Sequence, residues 1–176
     1  MNPTGARADA SPSTRRFGDG PGALVDDLRS RLEQFDTALA ERYWQNADVE
    51  PLVHERATFF DGLIEAIWEA RIPADIRDDI AILAVGGYGR GELFPHSDID
   101  LLVLARRPAA HKASISAFLH CLFDLKVEIG HSVRSPRECR REAERDLTVA
   151  TAMFERRLLV GSRKLAAELD KQMDSP

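Results

Sequence analysis

The chain has 176 residues, enough for one domain with an appendage and too few for two large domains. Its composition, 44% hydrophobic and 30% charged, excludes a wholly disordered chain, a collagen and a coiled coil. The formal net charge of −5 provides no global basic field, so we expect no nucleic-acid partner.

Cysteine content and hydropathy indicate where the protein works. The two cysteines, Cys121 and Cys139, are too few for a disulfide framework, and we expect reduced thiols within helices. No apolar run approaches the roughly 18–20 residues of a membrane span. The N-terminus lacks the apolar segment of a secretory signal. These features predict a cytoplasmic protein with no membrane association.

The first 75 residues divide into a tail and two helices. Residues 1–20 are rich in Ser, Pro, Gly, Ala and Arg without apolar periodicity, which predicts a disordered tail. Their arginines leave a mitochondrial transit peptide as an alternative, which Asp9 and Asp19 oppose. Apolar residues then recur at helical spacing to about Trp44. A second helix is predicted to begin at Pro51 and to end at Pro73. Its predicted buried face comprises Val53, Ala57, Phe60, Ile64, Ile67 and Trp68.

Residues 76–176 are predicted to form the core of the domain. Continuous or alternating apolar patterns predict strands at 80–85, 99–104 and 126–133, with a helix over 109–124 between the second and third. Three trailing helices are predicted to start at Ser135, Asp146 and Ser162. The helix from Asp146 is expected to turn Leu147, Ala150, Phe154 and Leu158 inward and to end at Gly161. The fold class is therefore α+β (α/β-like), a small sheet with helices packed against it.

A glycine-rich turn, residues 86–91, follows the first predicted strand. It holds four glycines in six residues, and glycine lets the backbone approach a ligand closely. A strand that ends in glycines and leads into a short helix presents free N–H groups to an anion. Neither a Walker A loop nor the dinucleotide-binding glycine pattern is present. Gly86 and Gly87 are thus candidate phosphate-binding residues. Arg90 is a candidate phosphate contact.

Two carboxylates open the second predicted strand. Asp98 and Asp100 share one face because alternate residues of a strand point the same way, whereas Ile99 points into the core. Like charges at that range repel and raise each other's pKa, and a divalent cation relieves the repulsion. Two oxygen ligands and substrate phosphates are the usual environment of Mg²⁺. Ser97 either caps the strand entry or contacts phosphate.

Glu128 is the third candidate acid. It is predicted to lie in the middle of the third strand, on the face opposite Val127 and Ile129. Pairing of this strand with the second would bring Glu128 beside Asp98 and Asp100. Three carboxylates suit a two-metal site for in-line phosphoryl displacement.

The segment 86–104, GGYGRGELFPHSDIDLLVL, resembles the signature of polymerase-beta-like nucleotidyltransferases. Segments 127–134, 146–153 and 155–161 narrow the resemblance to the bifunctional uridylyltransferase/uridylyl-removing enzymes of the nitrogen-regulatory protein PII. The resemblance covers about residues 22–170. It implies a mixed sheet of the polymerase-beta-like type and Mg²⁺-dependent transfer of UMP from UTP to a tyrosine of PII.

The resemblance also implies a role for each site residue. Gly86 and Gly87 fall on the phosphate-binding glycines of the family. Asp98 and Asp100 fall on its metal-binding catalytic pair, and Glu128 falls on a third acid that helps to activate the attacking hydroxyl.

Members of that family are several times longer and carry an HD hydrolase domain and two ACT sensor domains. None of the five histidines here is followed by Asp, so the 176 residues contain no HD pair. We therefore expect a truncated transferase fragment without uridylyl removal. The alternatives are a non-catalytic fragment that binds nucleotide or PII, and a stand-alone small nucleotidyltransferase with another acceptor.

Overall fold

The computed structural model describes residues 21–174. The predicted disordered tail, residues 1–20, lies outside the described residues.

Two long helices begin the described chain, as predicted. Helix α1 spans Pro21–Trp44 and α2 spans Val49–Arg71. Helix α2 begins two residues before the predicted start at Pro51, which lies in its first turn, where a missing N–H breaks no helical hydrogen bond. All six residues predicted for its buried face are buried.

A four-stranded mixed sheet follows, which confirms the predicted α+β class. Its strands are β1 (Ile80–Ala84), β2 (Ile99–Ala105), β3 (Ile129–Arg134) and β4 (Arg157–Gly161). The spatial order is β3-β2-β1-β4. Strand β1 pairs antiparallel with β2 and with β4, whereas β2 and β3 are parallel. The remaining helices are α3 (Gly86–Gly89), α4 (Lys112–Phe123), α5 (Pro136–Ala143), α6 (Leu147–Phe154) and α7 (Arg163–Met173).

Strand β4 was not predicted, and the helix expected over this region is shorter than the pattern indicated. Helix α6 ends at Phe154, and Leu158 lies on β4. Leu147 and Phe154, expected to point inward, are 81% and 69% exposed. The error arises because a short apolar run fits a helix or a strand equally well by periodicity, and only pairing with β1 decides between them.

The third strand also differs from its prediction. Strand β3 begins at Ile129, three residues after Lys126. Glu128 therefore precedes the strand and does not lie in its middle. Lys126 has a positive φ of 59°, so the backbone turns there and joins the sheet only beyond it.

Each face of the sheet packs against its own helices. Ile82 of β1 and Leu101 and Val103 of β2 pack with α1, α2 and α4. The alternate residues Leu102 and Leu104 pack with side chains of α5, α6 and α7. Both faces of central β2 are thus buried over Leu101–Ala105, as in a three-layer arrangement.

The predicted helix caps are confirmed. Ser135 and Glu138 form a reciprocal capping box at α5, and Asp146 and Ser162 cap α6 and α7. Cys121 and Cys139 are free, buried thiols in helices, and burial raises the pKa of Cys139 to about 12. Within residues 21–174, no helix combines the length and the apolar character needed to cross a membrane.

The capping box of α5 makes stability depend on pH. The Ser135 amide and hydroxyl both donate to Glu138 Oε2 at 2.8 Å, and these bonds lower the pKa of Glu138. We expect Ser135→Ala to lower the free energy of unfolding at pH 7 by about 1 kcal/mol. Because the pKa of Glu138 is lower in the folded state, its ionisation stabilises the folded protein at any pH above the ordinary glutamate pKa of about 4.3. This stabilisation is lost as the pH falls through the pKa of Glu138 in the folded state.

The difference in the free energy of unfolding between the wild type and Ser135→Ala, measured by urea denaturation, should therefore become smaller below about pH 4. Ser30→Ala, at an exposed position within α1, is the matched control and should change little at either pH. An equal loss at pH 7 and pH 3 would show that the ionised carboxylate does not contribute to the cap.

Candidate active site

The two aspartates lie at the end of β2 that the helices α5, α6 and α7 do not fully cover. Asp100 is the second residue of β2, and Asp98 immediately precedes the strand. By alternation they share the face of Leu102 and Leu104, whereas Ile99 is 3% exposed within the core on the other side. Asp98 is exposed and Asp100 is partly buried. The predicted common face of the two carboxylates is thus present in the structure.

Asp100 lies between two glycines. Gly130 of β3 is its neighbour in the parallel register, and a Cβ at Gly130 would overlap Asp100 Oδ1. On the other side, a Cβ on Gly86 would lie 3.8 Å from Asp100 Oδ2. The sequence marked Gly86 as a candidate phosphate-binding residue but did not predict the role of Gly130. The available signal was a single glycine inside a strand, which often marks a close backbone approach.

Burial, and secondarily the charge of Asp98, raises the pKa of Asp100. The prediction named only repulsion between the two carboxylates, whereas desolvation is the larger cause because the strand is partly covered at that position. Both effects disfavour a second negative charge, and both are relieved by a cation bound at the carboxylates.

The glycine-rich turn forms α3, a single helical turn. The amides of Gly89 and Arg90 donate to the carbonyls of Val85 and Gly86, and the Val85 amide donates to the Asp100 carbonyl at 3.1 Å. The first three amides of the turn, from Gly86 to Tyr88, have no backbone acceptor within residues 21–174. Amides of this kind are suited to an anion, and they begin beside the Asp100 carboxylate.

Arg90 and Ser97 occupy the edge of this region. Arg90 is exposed, and its guanidinium pairs with Glu92 at 2.9 Å and Glu155 at 2.7 Å. Hydrogen bonds to these two carboxylates raise the pKa of Arg90. Ser97 is exposed in the loop before Asp98, where its amide donates to the Phe94 carbonyl at 3.1 Å. Both residues are accessible, and their roles in binding phosphate stay predictions.

The parallel register of β2 and β3, which pairs Ile99 with Ile129, places Glu128 beside Asp98. Its carbonyl accepts a hydrogen bond from the Ile99 amide at 3.0 Å, and it lies two residues before Gly130, the partner of Asp100. The side chain is exposed. No group of three or more His, Cys, Asp or Glu residues in the described chain is arranged to hold a metal ion. The charge of Asp98 acts on Asp100, whereas a third ligand at Glu128 stays a prediction.

A second set of polar side chains, not predicted from the sequence, connects the glycine-rich turn to α2 and β4. Tyr88 donates from its hydroxyl to Asp61 Oδ1 at 2.7 Å. Arg157 of β4 donates to both oxygens of the same carboxylate, at 2.6 and 3.1 Å. Asp61 resembles any surface acid of a helix, and Arg157 was placed in a helix, so no signal in the sequence linked them.

The part of the sequence that forms this site matches a known protein family. The family model described as "Nucleotidyltransferase domain" matches residues 64–159, which are 96 of the 176 residues. The matched range contains the glycine-rich turn, the two aspartates and Glu128.

Three relatives share the name bifunctional uridylyltransferase/uridylyl-removing enzyme. The relative from Methylococcus capsulatus is 45% identical over 143 residues, 80% of this chain and 16% of the relative. Those from Vibrio campbellii and Photobacterium profundum are 43% and 41% identical over 149 and 152 residues, 84% and 85% of this chain and 17% of each relative. The chain spans about a sixth of the length of these relatives. The resemblance stated from the sequence motifs is confirmed, and the chain belongs to the nucleotidyltransferase domain family.

Proposed function

We propose that the chain transfers UMP from UTP to a tyrosine hydroxyl of a PII-type nitrogen-regulatory protein and releases pyrophosphate. The observation that carries the proposal is the pair Asp98 and Asp100, on one face at the uncovered end of β2 beside the glycine-rich turn. The 41–45% identity of the chain to proteins named as uridylyltransferases supports UTP and PII as substrates over other molecules. A cytoplasmic location belongs to the same proposal.

The residues at the end of β2 fit Mg²⁺. Asp98 and Asp100 provide oxygen ligands, and the burial of Asp100 together with the charge of Asp98, which raise the pKa of Asp100, are both offset by a bound cation. When bound, the ion supplies charge neutralisation to the triphosphate and the leaving pyrophosphate.

The other residues of the site bind and orient the substrates. The free amides of Gly86 and Gly87 donate hydrogen bonds to phosphate oxygens, with Arg90 and Ser97 at the edge of the site. The tyrosine oxygen attacks the α-phosphorus, the α–β phosphoanhydride bond breaks, and pyrophosphate leaves with the bonding electrons. Glu128 accepts the proton of the tyrosine hydroxyl, for which its exposed position beside Asp98 is suitable.

The direct test is transfer of labelled UMP to purified PII in the presence of Mg²⁺. We expect Asp98→Asn and Asp100→Asn each to lower the rate by about a hundredfold or more, because each removes a charged ligand. Asp75→Asn, at an exposed acid before β1, is the matched control and should retain full activity. Chelation of the metal with EDTA should abolish transfer in the wild type.

Other outcomes separate the alternatives. Calorimetric binding of Mg²⁺–UTP without transfer would indicate a binding fragment. Transfer from ATP, or to other acceptors but not to PII, would indicate a different nucleotidyltransferase. Transfer that survives both aspartate substitutions would contradict the proposed site.

The contact between Gly130 and Asp100 predicts an effect on activity that is separate from folding. In Gly130→Ala, the new Cβ displaces the end of the Asp100 side chain, and a displacement of about 1 Å costs about a hundredfold in rate. The free energy of unfolding should fall by only about 1–2 kcal/mol, because the overlapping atom is the end of a side chain and not backbone. Gly62→Ala, where a Cβ meets nothing within 4 Å, is the control and should change neither quantity adversely. Full activity of Gly130→Ala would show that the position of Asp100 is not critical.

The role of Glu128 is tested by Glu128→Gln, which keeps size and removes the basic oxygen. Because the Glu128 carboxylate is proposed to accept the hydroxyl proton, its loss should lower kcat by about a hundredfold or more, with little change in the KM for UTP. Glu65→Gln, at an exposed site of α2, is the matched control. An unchanged kcat would remove Glu128 from the mechanism and leave the two aspartates.

A further inference from the structure

Glu155, which follows α6, and Arg157, the first residue of β4, contact three consecutive residues of the glycine-rich turn, Tyr88, Gly89 and Arg90. Arg157 donates to the carbonyls of Tyr88 and Gly89, at 3.3 and 3.4 Å. The carbonyl of Glu155 lies so close to Gly89 that a Cβ there would overlap it. The carboxylate of Glu155 pairs with Arg90. The turn is therefore packed directly against this segment.

Arg157 is itself held by Asp61 of α2. Its Nη1 and Nη2 donate to Asp61 Oδ2 and Oδ1 in a two-bond arrangement, and the Tyr88 hydroxyl donates to the same Oδ1. The guanidinium carbon also lies 5.6 Å from the centre of the Tyr88 ring. We call Asp61, Tyr88 and Arg157 the turn clamp. It joins α2, α3 and β4, which are distant in sequence.

We propose that Asp61 and Arg157 are positioning residues that hold the glycine-rich turn in the conformation that binds the nucleotide triphosphate. This inference rests on the proposed function. The clamp holds the carbonyl groups at the end of the turn, whereas the free amides of Gly86 and Gly87 lie at its start. Neither Asp61 nor Arg157 is needed at the reacting atoms. Their effect passes through the backbone of the turn.

The exposure of the pair favours positioning over global stability. The side chains of Arg157 and Asp61 are 36% and 31% exposed, so water screens this ion pair and limits its contribution to folding. Tyr88 is buried, and burial, together with the nearby Asp61 charge, raises its pKa well above the usual range, so the hydroxyl stays a donor. The geometry of the turn, more than the folded state, depends on these bonds.

The chain provides a matched control one residue away. Arg156 donates from Nε and Nη2 to Asp170 Oδ1 of α7, at 2.8 and 2.6 Å, and from Nη1 to the Met153 carbonyl. This pair has the same chemistry as Arg157 and Asp61, and it joins α6 to α7 instead of contacting the glycine-rich turn.

The test compares Arg157→Lys and Asp61→Asn with Arg156→Lys in the full chain. Lysine keeps the charge but cannot reproduce the two-bond pairing together with the carbonyl bonds. We expect hydrogen exchange at the amides of residues 89–92 to accelerate at least about tenfold in the clamp variants and to stay unchanged in Arg156→Lys. The calorimetric Kd and the KM for Mg²⁺–UTP should rise about tenfold, with kcat changed less.

Three results would overturn the inference. The first is unchanged exchange of the turn in both clamp variants. The second is accelerated exchange with unchanged affinity for Mg²⁺–UTP, which would make the clamp structural only. The third is an equal loss of affinity in Arg156→Lys, which would show a general effect of destabilisation. A wild-type chain that neither binds nor transfers UTP would refute the proposed function, whereas exchange in the absence of nucleotide would still decide whether the clamp holds the turn.

Discussion

Unequal cover along β2 is the constraint on which the site depends. From Leu101 to Ala105 the strand is buried on both faces, between α1, α2 and α4 on one side and α5, α6 and α7 on the other. A carboxylate within that region would be buried without compensation, at a cost of several kcal/mol. At Asp98 and Asp100 this cover is incomplete, with Asp98 exposed and Asp100 partly buried, so the face that carries Leu102 and Leu104 carries acids that reach solvent. The helices that stabilise the sheet thereby also determine where an ionic site is possible.

At this open end, glycines allow backbone and carboxylate to approach each other. Gly86 and Gly130 flank Asp100, and Gly89 lets the turn contact the carbonyl of Glu155. The partial burial of Asp100 disfavours its own ionisation. Such a site is unfavourable in electrostatic terms by itself, as is common where a cation or a charged substrate completes the arrangement.

Three consecutive residues between the end of α6 and the first residue of β4 show how one short segment serves different purposes. Glu155 pairs with Arg90 of the turn, Arg156 pairs with Asp170 of α7, and Arg157 pairs with Asp61 of α2. The chain from Glu155 to Arg157 thus links the edge strand β4 to both helical layers and to the glycine-rich turn. Because the three pairs point to different neighbours, substitutions at adjacent positions separate the stability of the layers from the geometry of the turn.

Local patterns in the sequence determined the two leading helices, three of the four strands, the helix caps at Ser135, Asp146 and Ser162, and the common face of Asp98 and Asp100. Each of these follows from spacing, turn chemistry or capping within a few residues of chain. Only the tertiary structure decided that 157–161 is a strand, that Leu147 and Phe154 are exposed, that Gly130 lies against Asp100, and that Asp61 meets Arg157. Those features depend on contacts between segments far apart in sequence, so a local pattern does not determine them, and the single glycine within β3 indicates a close approach without naming its partner. A short apolar run becomes a strand only when β1 offers it an edge, and an ordinary surface acid becomes a positioning group only when the fold brings an arginine to it.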